Sequence, residues 1–484
     1  MAQDTRDWLS KAVIYSVFVR NHGQMGTFDE VTRDLERIKD LGTDILWLMP
    51  IHPLGIEGRK GTLGSPYAIR DYRGINPEFG DEAALVRLIE GCHRLGMKII
   101  IDVVYNHTSP DSVLAHEHPE WFLRDAAGKP IPKFPEWWDI VDLRYYNADG
   151  SRRQELWDCQ IASLEKWAGL GIDGFRCDVA SLVPPEFWQE ARQRLNAKRE
   201  IIWLAETTHL HFIKFMRDRG FAAWSDGEIL QSFDLSYDYD GFQRLDDYFA
   251  GKKGLESYLD QLEIQATMNP AHGAKLRFTE NHDQPRAAAK IRGTERLECW
   301  TAFHALLPGA FMIYAGQEVI ADHLPSLFDA DPIALPVGMV PGGPAAGSPG
   351  SGDRTELAGD PAASLVAAGF DAGQAEFYGF LRRLIGMAKT IKSECRFFSV
   401  RQLAAGLELV KWSNQVEASH GAPPAGPHHA ASAVNYIAIL NLEDRFGPWG
   451  ELPVIAGTDL LSGQPVALKA GAMIPKCPLI IREA

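Results

Sequence analysis

The sequence predicts an α/β protein built on a TIM-like (β/α)8 barrel, with a short subdomain inserted after the third strand and an antiparallel β-sandwich domain at the C-terminal end. Three observations predict this fold. The first roughly 320 residues alternate apolar runs with amphipathic helical segments, as parallel α/β folds do. Four of the apolar runs end in acidic or imidazole side chains, which is typical of a barrel with a site at its C-terminal mouth. Past residue 393, short alternating strands replace the helices.

The first half of the predicted barrel alternates regularly. Its first helical segment places Val31, Leu35, Ile38 and Leu41 on one face, and Gly42 can end that helix. The strands predicted in this half are AVIYSVFVR (12–20), TDILWLMP (43–50) and MKIIIDVVYNH (97–107), and the helices are 28–42 and 81–96.

The second half continues the alternation after residue 151. The sixth strand has the weakest pattern and is expected within Phe221–Tyr239. The other strands predicted here are IDGFRCDVA (172–180), EIIWLAE (200–206), AKLRFTENHD (274–283) and GAFMIYAG (309–316), and the helices are 152–171, 184–197 and 375–390.

These patterns divide the chain into three parts. The barrel is predicted to take residues 1–107 and 151–392, the inserted subdomain residues 108–150, and the C-terminal β domain residues 393–484. Two stretches rich in Gly, Ala and Pro, residues 335–369 and 417–432, bury too little apolar surface to offset ordering. We expect both to be flexible insertions.

Composition and charge narrow the class of protein. A formal net charge of −15 argues against nucleic acid as a partner, because phosphate binding requires a basic surface. No apolar run approaches the roughly 20 residues that span a bilayer, and the N-terminus lacks the features of a signal peptide. The six scattered cysteines indicate reduced thiols and no zinc site. We therefore expect a cytoplasmic protein without a membrane partner; the sequence indicates no oligomeric state.

Arg176 and Asp178 lie two residues apart on the fourth strand, so their side chains point to the same face. A guanidinium beside a carboxylate lowers the pKa of that carboxylate and keeps it ionised. An ionised carboxylate held in place can serve as a covalent nucleophile. A buried ion pair that serves only the fold is the alternative interpretation of this motif.

Glu206 ends the very apolar fifth strand, IIWLAE. Desolvation at such a position raises the pKa of a carboxyl group and favours its protonated form, which can donate a proton to a leaving oxygen. A charged strand end that simply reaches water is the alternative.

The third and seventh strands end in the other two acidic motifs. Asp283 follows His282 at the end of the seventh strand, and it can bind hydroxyl groups and raise the proton affinity of a nearby carboxylate. Asp102 and His107 on the third strand fit hydroxyl binding or structural bracing equally well. A single histidine near a strand end is usually structural, but four such strand ends in order indicate one site.

The sequence resembles the α-amylase family, glycoside hydrolase family thirteen. The motifs DVVYNH, GFRCDVA, LAE and ENHD match that family's four main motifs in order, over about residues 8 to 320. The resemblance implies a retaining double displacement on an oligosaccharide. In it, Asp178 attacks the anomeric carbon, Glu206 acts as the acid and then the base, and Asp283 stabilises the distorted sugar, with the two reacting carboxyls about 5–5.5 Å apart.

The same resemblance implies roles for five further residues. Arg176, His107 and His282 would complete the first sugar subsite, Tyr67 in the SPY motif would stack beneath the sugar, and Asp102 would brace the site. Hydrolysis of maltooligosaccharides or related α-glucans is the leading expectation. The alternative is transfer or isomerisation of glucosyl units on the same scaffold, as by a glucanotransferase or a trehalose synthase. A non-catalytic binding protein is a third interpretation.

The sequence departs from the family pattern just after Asp178. Many endo-acting members carry a Lys-His pair where this chain has Ser181 and Leu182, and that His helps to hold calcium. Asn106 remains one possible calcium ligand, but one carbonyl oxygen does not make a site. We therefore expect no required cofactor and no metal, with calcium possible but not predicted. In exo-acting members of the family, valine at the position of Val179 is only weakly associated with α-1,6 linkages. The sequence therefore establishes neither the linkage nor endo or exo action.

Overall fold

The structure is a computed structural model that describes residues 2, 4–338, 365–415 and 434–483. The predicted flexible stretch 417–432, and residues 339–364 of the predicted insertion 335–369, lie outside the described residues. Numbered in chain order, the strands are β1 (Val13–Val17), β2 (Ile45–Leu48), β3 (Lys98–Val103), β4 (His107–Thr108), β5 (Val141–Asp142), β6 (Gly174–Cys177), β7 (Ile202–Ala205), β8 (Leu235–Tyr237), β9 (Ala274–Arg277), β10 (Ala310–Tyr314), β11 (Phe397–Ala404), β12 (Leu407–Ser413), β13 (Asn435–Asn441), β14 (Ile455–Asp459), β15 (Pro465–Leu468) and β16 (Leu479–Arg482).

Helices cover the outside of the barrel and connect its strands. They are α1 (Phe28–Asp40), α2 (Glu82–Arg94), α3 (Val113–Glu117), α4 (Gln154–Leu170), α5 (Pro185–Asn196), α6 (Leu210–Asp218), α7 (Asp226–Ile229), α8 (Tyr239–Phe249), α9 (Glu256–Met268), α10 (Ala287–Lys290), α11 (Thr294–Leu306) and α12 (Ala372–Glu394). Short 3₁₀ helices lie at Asp7–Lys11, Val19–Asn21, Pro119–Trp121, Pro135–Trp137, Ala180–Leu182 and Gln317–Val319.

Eight parallel strands close into a barrel in the order β1, β2, β3, β6, β7, β8, β9, β10, and β10 pairs with β1. The predicted fold class is confirmed, and all eight predicted strand segments contain a barrel strand. The sixth strand, β8, has three residues and lies within the predicted window Phe221–Tyr239. A strand this short gives little alternation to detect in the sequence.

Local sequence explains where the helices begin and what they bury. The Thr27 side chain accepts a hydrogen bond from the Glu30 amide at the start of α1, and Asp81 does the same for Ala84 at the start of α2. The predicted apolar face of α1 is buried against the barrel. Gly42 follows α1 with a φ of +91°, and a Cβ there would lie 2.6 Å from the Ile385 side chain of α12. Glycine is therefore required there by both conformation and packing.

Residues 108–150 contain little regular structure. The two-residue strands β4 and β5 pair antiparallel, with His107 opposite Asp142 and Thr108 opposite Val141. This pairing joins the segment that follows β3 to the far end of the insertion. The boundaries at 107, 150 and 392 stay a prediction.

The C-terminal strands form one six-stranded antiparallel sheet in the order β11, β12, β13, β16, β14, β15. The antiparallel β domain is confirmed, but within the described residues these strands make a single sheet, whereas the sequence predicted a sandwich. One face packs on the barrel, where the Trp412 indole donates a hydrogen bond of 2.8 Å to the Leu306 carbonyl. The other face buries a separate cluster that includes Leu407, Ile439 and Ile481.

Two sequence expectations can be compared with the described residues. No helix among them is long and apolar enough to cross a membrane. The six cysteines are free thiols; Cys92, Cys177, Cys299 and Cys395 are buried, Cys159 is half-buried and Cys477 is exposed.

Candidate active site

The predicted site residues come together at the C-terminal end of the barrel. Asp102 on β3 is in register with Arg176 on β6. Asp178 and Glu206 directly follow β6 and β7, and their backbone amides continue the parallel ladder to Val103 and Cys177 with hydrogen bonds of 2.9 and 3.0 Å. The ladder therefore fixes the backbone beneath both carboxylates, which makes the position of each side chain precise.

The guanidinium of Arg176 is the centre of the cluster. It is fully buried and donates to both oxygens of Asp102 at 2.9 and 3.0 Å. The same terminal nitrogen donates to Asp178 Oδ1 at 2.9 Å, and the other terminal nitrogen lies 3.0 Å from Glu206 Oε1. One cation thus faces three carboxylates and holds two of them at the open end of the barrel. The predicted 5–5.5 Å separation of the reacting carboxyls stays a prediction.

The electrostatics of Asp178 differ from the sequence expectation. Burial raises the pKa of Asp178, and although the charge and hydrogen bond of Arg176 lower it, the net pKa lies above its usual value. The sequence prediction named the Arg176 effect correctly but was wrong in the net direction, because a residue 5% exposed pays a desolvation cost that the sequence does not reveal. Asp178 nonetheless has the arginine contact that the prediction required.

Glu206 shows the predicted elevated pKa. Burial at the end of β7 raises the pKa of Glu206 to about 7; Arg176 opposes the shift, and the charges of Asp178 and Asp283 add to it. The Val179 amide donates to Glu206 Oε2 at 2.8 Å and fixes the carboxyl orientation. Val179 does so with a φ of 41°, in the left-handed region that a β-branched residue rarely adopts.

Asp283 and its neighbours form the opposite side of the cluster. His282 Nε2 lies 3.1 Å from Asp283 Oδ2 and 2.7 Å from the Tyr67 hydroxyl, and the Tyr67 and His282 rings stack with centroids 5.6 Å apart. Tyr67 also donates to Asp102 Oδ2 at 3.3 Å. Desolvation raises the pKa of Asp283, but the charge and hydrogen bond of His282, the charge of Arg176 and a hydrogen bond with Tyr239 together outweigh it, and the net pKa is lowered. Asp283 is therefore the carboxylate of this site that most readily stays ionised.

His107 approaches the site from the start of β4. Burial lowers the pKa of His107; nearby Asp142 raises it, and Lys133 lowers it further. Its Nδ1 lies 3.1 Å from the Asn106 amide nitrogen, which also donates to Asp142 Oδ1 at 2.9 Å. His107 is thus a half-buried imidazole with a lowered pKa, and its orientation depends on Asn106 and Asp142 behind it.

Sequence reasoning identified Tyr67 but not the other two aromatic rings around Arg176, Trp47 and Tyr237. The guanidinium carbon lies 5.2 Å from the ring centroids of both Trp47 and Tyr237, and 5.7 Å from that of Tyr67. Such contacts stabilise a buried cation. Trp47 lies in the apolar second strand and Tyr237 in the short sixth strand, so neither carried a polar strand-end signal.

The surroundings of Asn106, the possible calcium ligand in the sequence, do not fit a metal ion. The Asn106 side-chain oxygen accepts a hydrogen bond of 2.7 Å from the Lys133 ammonium, and Asp142 Oδ1 accepts another of 2.8 Å. Among the described parts of the chain, no group of three His, Cys, Asp or Glu side chains could hold a metal. Lys133 already supplies positive charge to these oxygen atoms of Asn106 and Asp142.

A closed parallel barrel whose mouth holds an arginine, a carboxyl group with a pKa of about 7 and three further carboxylates has the groups that glycosidic bond cleavage uses. The family model described as "Alpha amylase, catalytic domain" matches residues 14–325. The chain belongs to the α-amylase family of glycoside hydrolases.

The chain is similar to several individual proteins, and one solved structure matches nearly its whole length. The crystal structure of an α-amylase from Lactobacillus plantarum superposes with a TM-score of 0.81 at 36% identity, covering 99% of this chain and 100% of that chain. The α-amylase MalA of Haloarcula japonica is 30% identical over 65% of this chain and 45% of its own length. An α-1,4-glucan:maltose-1-phosphate maltosyltransferase of Cereibacter sphaeroides is 35% identical over 37% of this chain and 29% of its own length. The chain thus spans less than half the length of these two curated relatives.

Proposed function

We propose that this protein hydrolyses maltooligosaccharides or related α-glucans with retention of the anomeric configuration, through a covalent glycosyl ester on Asp178. One observation carries the proposal. The Arg176 guanidinium donates a hydrogen bond of 2.9 Å to Asp178 and lies 3.0 Å from Glu206, whose pKa burial raises to about 7. One carboxylate is therefore suited to attack and the other to donate a proton.

In the first step, an oxygen of Asp178 bonds to the anomeric carbon while Glu206 transfers its proton to the leaving oxygen. In the second step, ionised Glu206 takes a proton from water, and that water displaces Asp178. The Val179 amide keeps Glu206 aimed at the same place in both steps. Each step forms one bond to the anomeric carbon and breaks one.

The remaining residues would bind and distort the sugar. Asp283, ionised beside His282, would accept hydroxyl groups and stabilise positive charge on the ring. Tyr67 is held by Asp102 and His282 in an orientation suited to stacking beneath the sugar. These contacts would favour the transition state over the ground state.

Transfer to a sugar acceptor is the second candidate, and two observations favour considering it. A relative carries the name maltosyltransferase. Leu182, at one of the two positions where many endo-acting members carry a Lys-His pair, lies in a buried apolar cluster with Met216 and Ala223, and Val179 is partly buried against this cluster. An apolar wall can exclude water from the acceptor side.

Product analysis distinguishes the two candidates. Purified protein is incubated separately with maltotriose, maltopentaose, isomaltose, pullulan, cyclodextrins, trehalose and sucrose. The products are separated by chromatography, and the anomeric configuration of the first-formed product is determined by NMR. We expect glucose and maltose of the α configuration from maltotriose. Predominance of longer chains or of an isomerised disaccharide would establish transfer, and a β-configured first product would exclude a retaining mechanism.

A further inference from the structure

A buried lysine joins the inserted segment to the barrel. The Lys133 side chain is about nine-tenths buried, and its ammonium lies 2.8 Å from Asp142, which is fully buried. It donates to Asn106 Oδ1 at 2.7 Å and to Asp142 Oδ1 at 2.8 Å. The Lys133 backbone amide adds a hydrogen bond of 2.8 Å to Asp142 Oδ2. Both oxygens of this carboxylate are therefore satisfied largely by one residue.

The three residues come from separate segments of the chain. Asn106 lies in the short segment between β3 and β4, Lys133 lies in the middle of the insertion, and Asp142 is the last residue of β5. The Asn106 carbonyl accepts a hydrogen bond of 3.0 Å from the Leu143 amide, so backbone contacts bring the same segments together. A divalent cation cross-links a loop in the same way, because oxygen ligands from distant segments converge on its positive charge.

We propose that the Lys133 ammonium takes the place that a divalent cation would otherwise hold between the barrel and the inserted segment, and that it positions His107 through Asn106 without metal. The number of oxygen contacts and their distances agree with an ammonium group. Two side-chain oxygens lie 2.7–2.8 Å from the nitrogen, whereas calcium takes six to eight oxygens at roughly 2.3–2.6 Å. A second cation beside the ammonium would also meet like-charge repulsion in a desolvated place.

The consequence for the site runs through one amide group. The Asn106 amide nitrogen contacts both Asp142 Oδ1 and His107 Nδ1, and its oxygen accepts from Lys133. The lysine contact thus fixes which way the amide faces, and the amide in turn meets the His107 ring. Lys133 is a positioning residue, because its ammonium hydrogen-bonds to Asn106 and Asp142, which lie behind His107.

The test compares thermal unfolding of full-length wild-type protein and variants, with EDTA, with millimolar CaCl₂ and with millimolar propylammonium chloride. We expect the wild-type Tm to be unchanged by all three additions. K133A should lower the Tm by about 5 °C or more, because it leaves buried Asp142 without its cation. Calcium or propylammonium should restore part of that loss in K133A, and neither should do so in K133M, whose side chain fills the space without charge.

Lys129 supplies the matched control. It lies in the same segment, is two-thirds exposed and pairs with Glu57 only at 3.5 Å, so K129A should leave the Tm unchanged under every condition. A wild-type Tm that falls in EDTA and recovers in CaCl₂ would overturn the proposal. So would K133A that is as stable as K129A, or a K133A loss that neither cation restores. The readout is unfolding, so these outcomes are independent of whether the proposed hydrolase function is correct.

Discussion

At the scale of residues, the candidate site depends on how Arg176 is shared. Burial raises the pKa of Asp102, Asp178 and Glu206, and Arg176 lowers the pKa of each. The sequence could predict Asp178 beside Arg176, because their spacing on a strand is visible in the motif. It could not predict the net pKa of Asp178, because that depends on how completely the folded barrel excludes water.

The first residue-scale prediction concerns the pH dependence of activity. Glu206 must be protonated to act as an acid, and its pKa is raised to about 7, so kcat/KM should fall as the pH rises through about 7. E206Q should lower kcat/KM on maltotriose by roughly 10²- to 10⁴-fold and remove this limb. Initial rates from pH 5 to 9 measure both. An unchanged alkaline limb in E206Q would assign the ionisation to another group.

The second residue-scale prediction concerns how the stability of the protein depends on pH. The folded pKa of Glu206, about 7, exceeds the unfolded value of 4.5, so the folded state binds more protons between these values. Its favourable contribution is complete below pH 4.5 and is lost as the pH rises through about 7. The side chain at position 206 of the E206Q variant cannot ionise. The Tm of E206Q minus the Tm of wild type should therefore be larger at pH 8 than at pH 5. Thermal unfolding at both pH values checks this, and a gain at pH 5 that vanishes at pH 8 would reverse the sign.

At the scale of elements, the strand ends were predictable and the contacts between loops were not. The motifs ending β3, β6, β7 and β9 placed Asp102, Arg176 and their partners at one edge. Lys133 gave no such signal, because its oxygen partners come from segments that only folding brings together. The positive φ of Val179 also escaped prediction, since valine does not favour that conformation.

A buried ionic cluster between barrel elements gives the element-scale prediction. Lys275 on β9 contacts Asp226 on α7 and lies 2.8 Å from Asp240 on α8, and all three are almost fully buried. K275M removes the cation and leaves two carboxylates facing each other in a desolvated place. It should lower the free energy of unfolding by about 3–5 kcal/mol.

Urea unfolding followed by circular dichroism measures this change. The control is K253M, because Lys253 is half exposed and its pair with Asp247 lies at the surface, so that variant should change the unfolding free energy by less than about 1 kcal/mol. Equal effects of the two substitutions would show that the cluster around Lys275 does not stabilise the barrel.

At the scale of the whole molecule, the alternation of strands and helices predicted the barrel, and the motif order predicted which end holds the site. The arrangement of the C-terminal strands was less predictable. Alternating residues such as Leu407 and Leu409 indicate strands, but whether six strands pair into one sheet or two depends on long-range contacts. In this protein β14 pairs with both β15 and β16, which joins all six into one sheet.

The claim that unites these scales is that Asp178 forms a covalent bond to the sugar while Glu206 handles the proton. E206Q with α-maltosyl fluoride isolates that claim. Fluoride leaves without an acid, so the glycosyl ester can form, and loss of the base slows its hydrolysis. The ester should then accumulate on the enzyme.

Mass spectrometry of the digested protein is the most direct measurement. The account predicts a gain of one maltosyl group on the peptide that contains Asp178, and no gain in a D178N/E206Q variant treated in the same way. A maltosyl group on any other residue, or fluoride release without any adduct and with an inverted product, would contradict it.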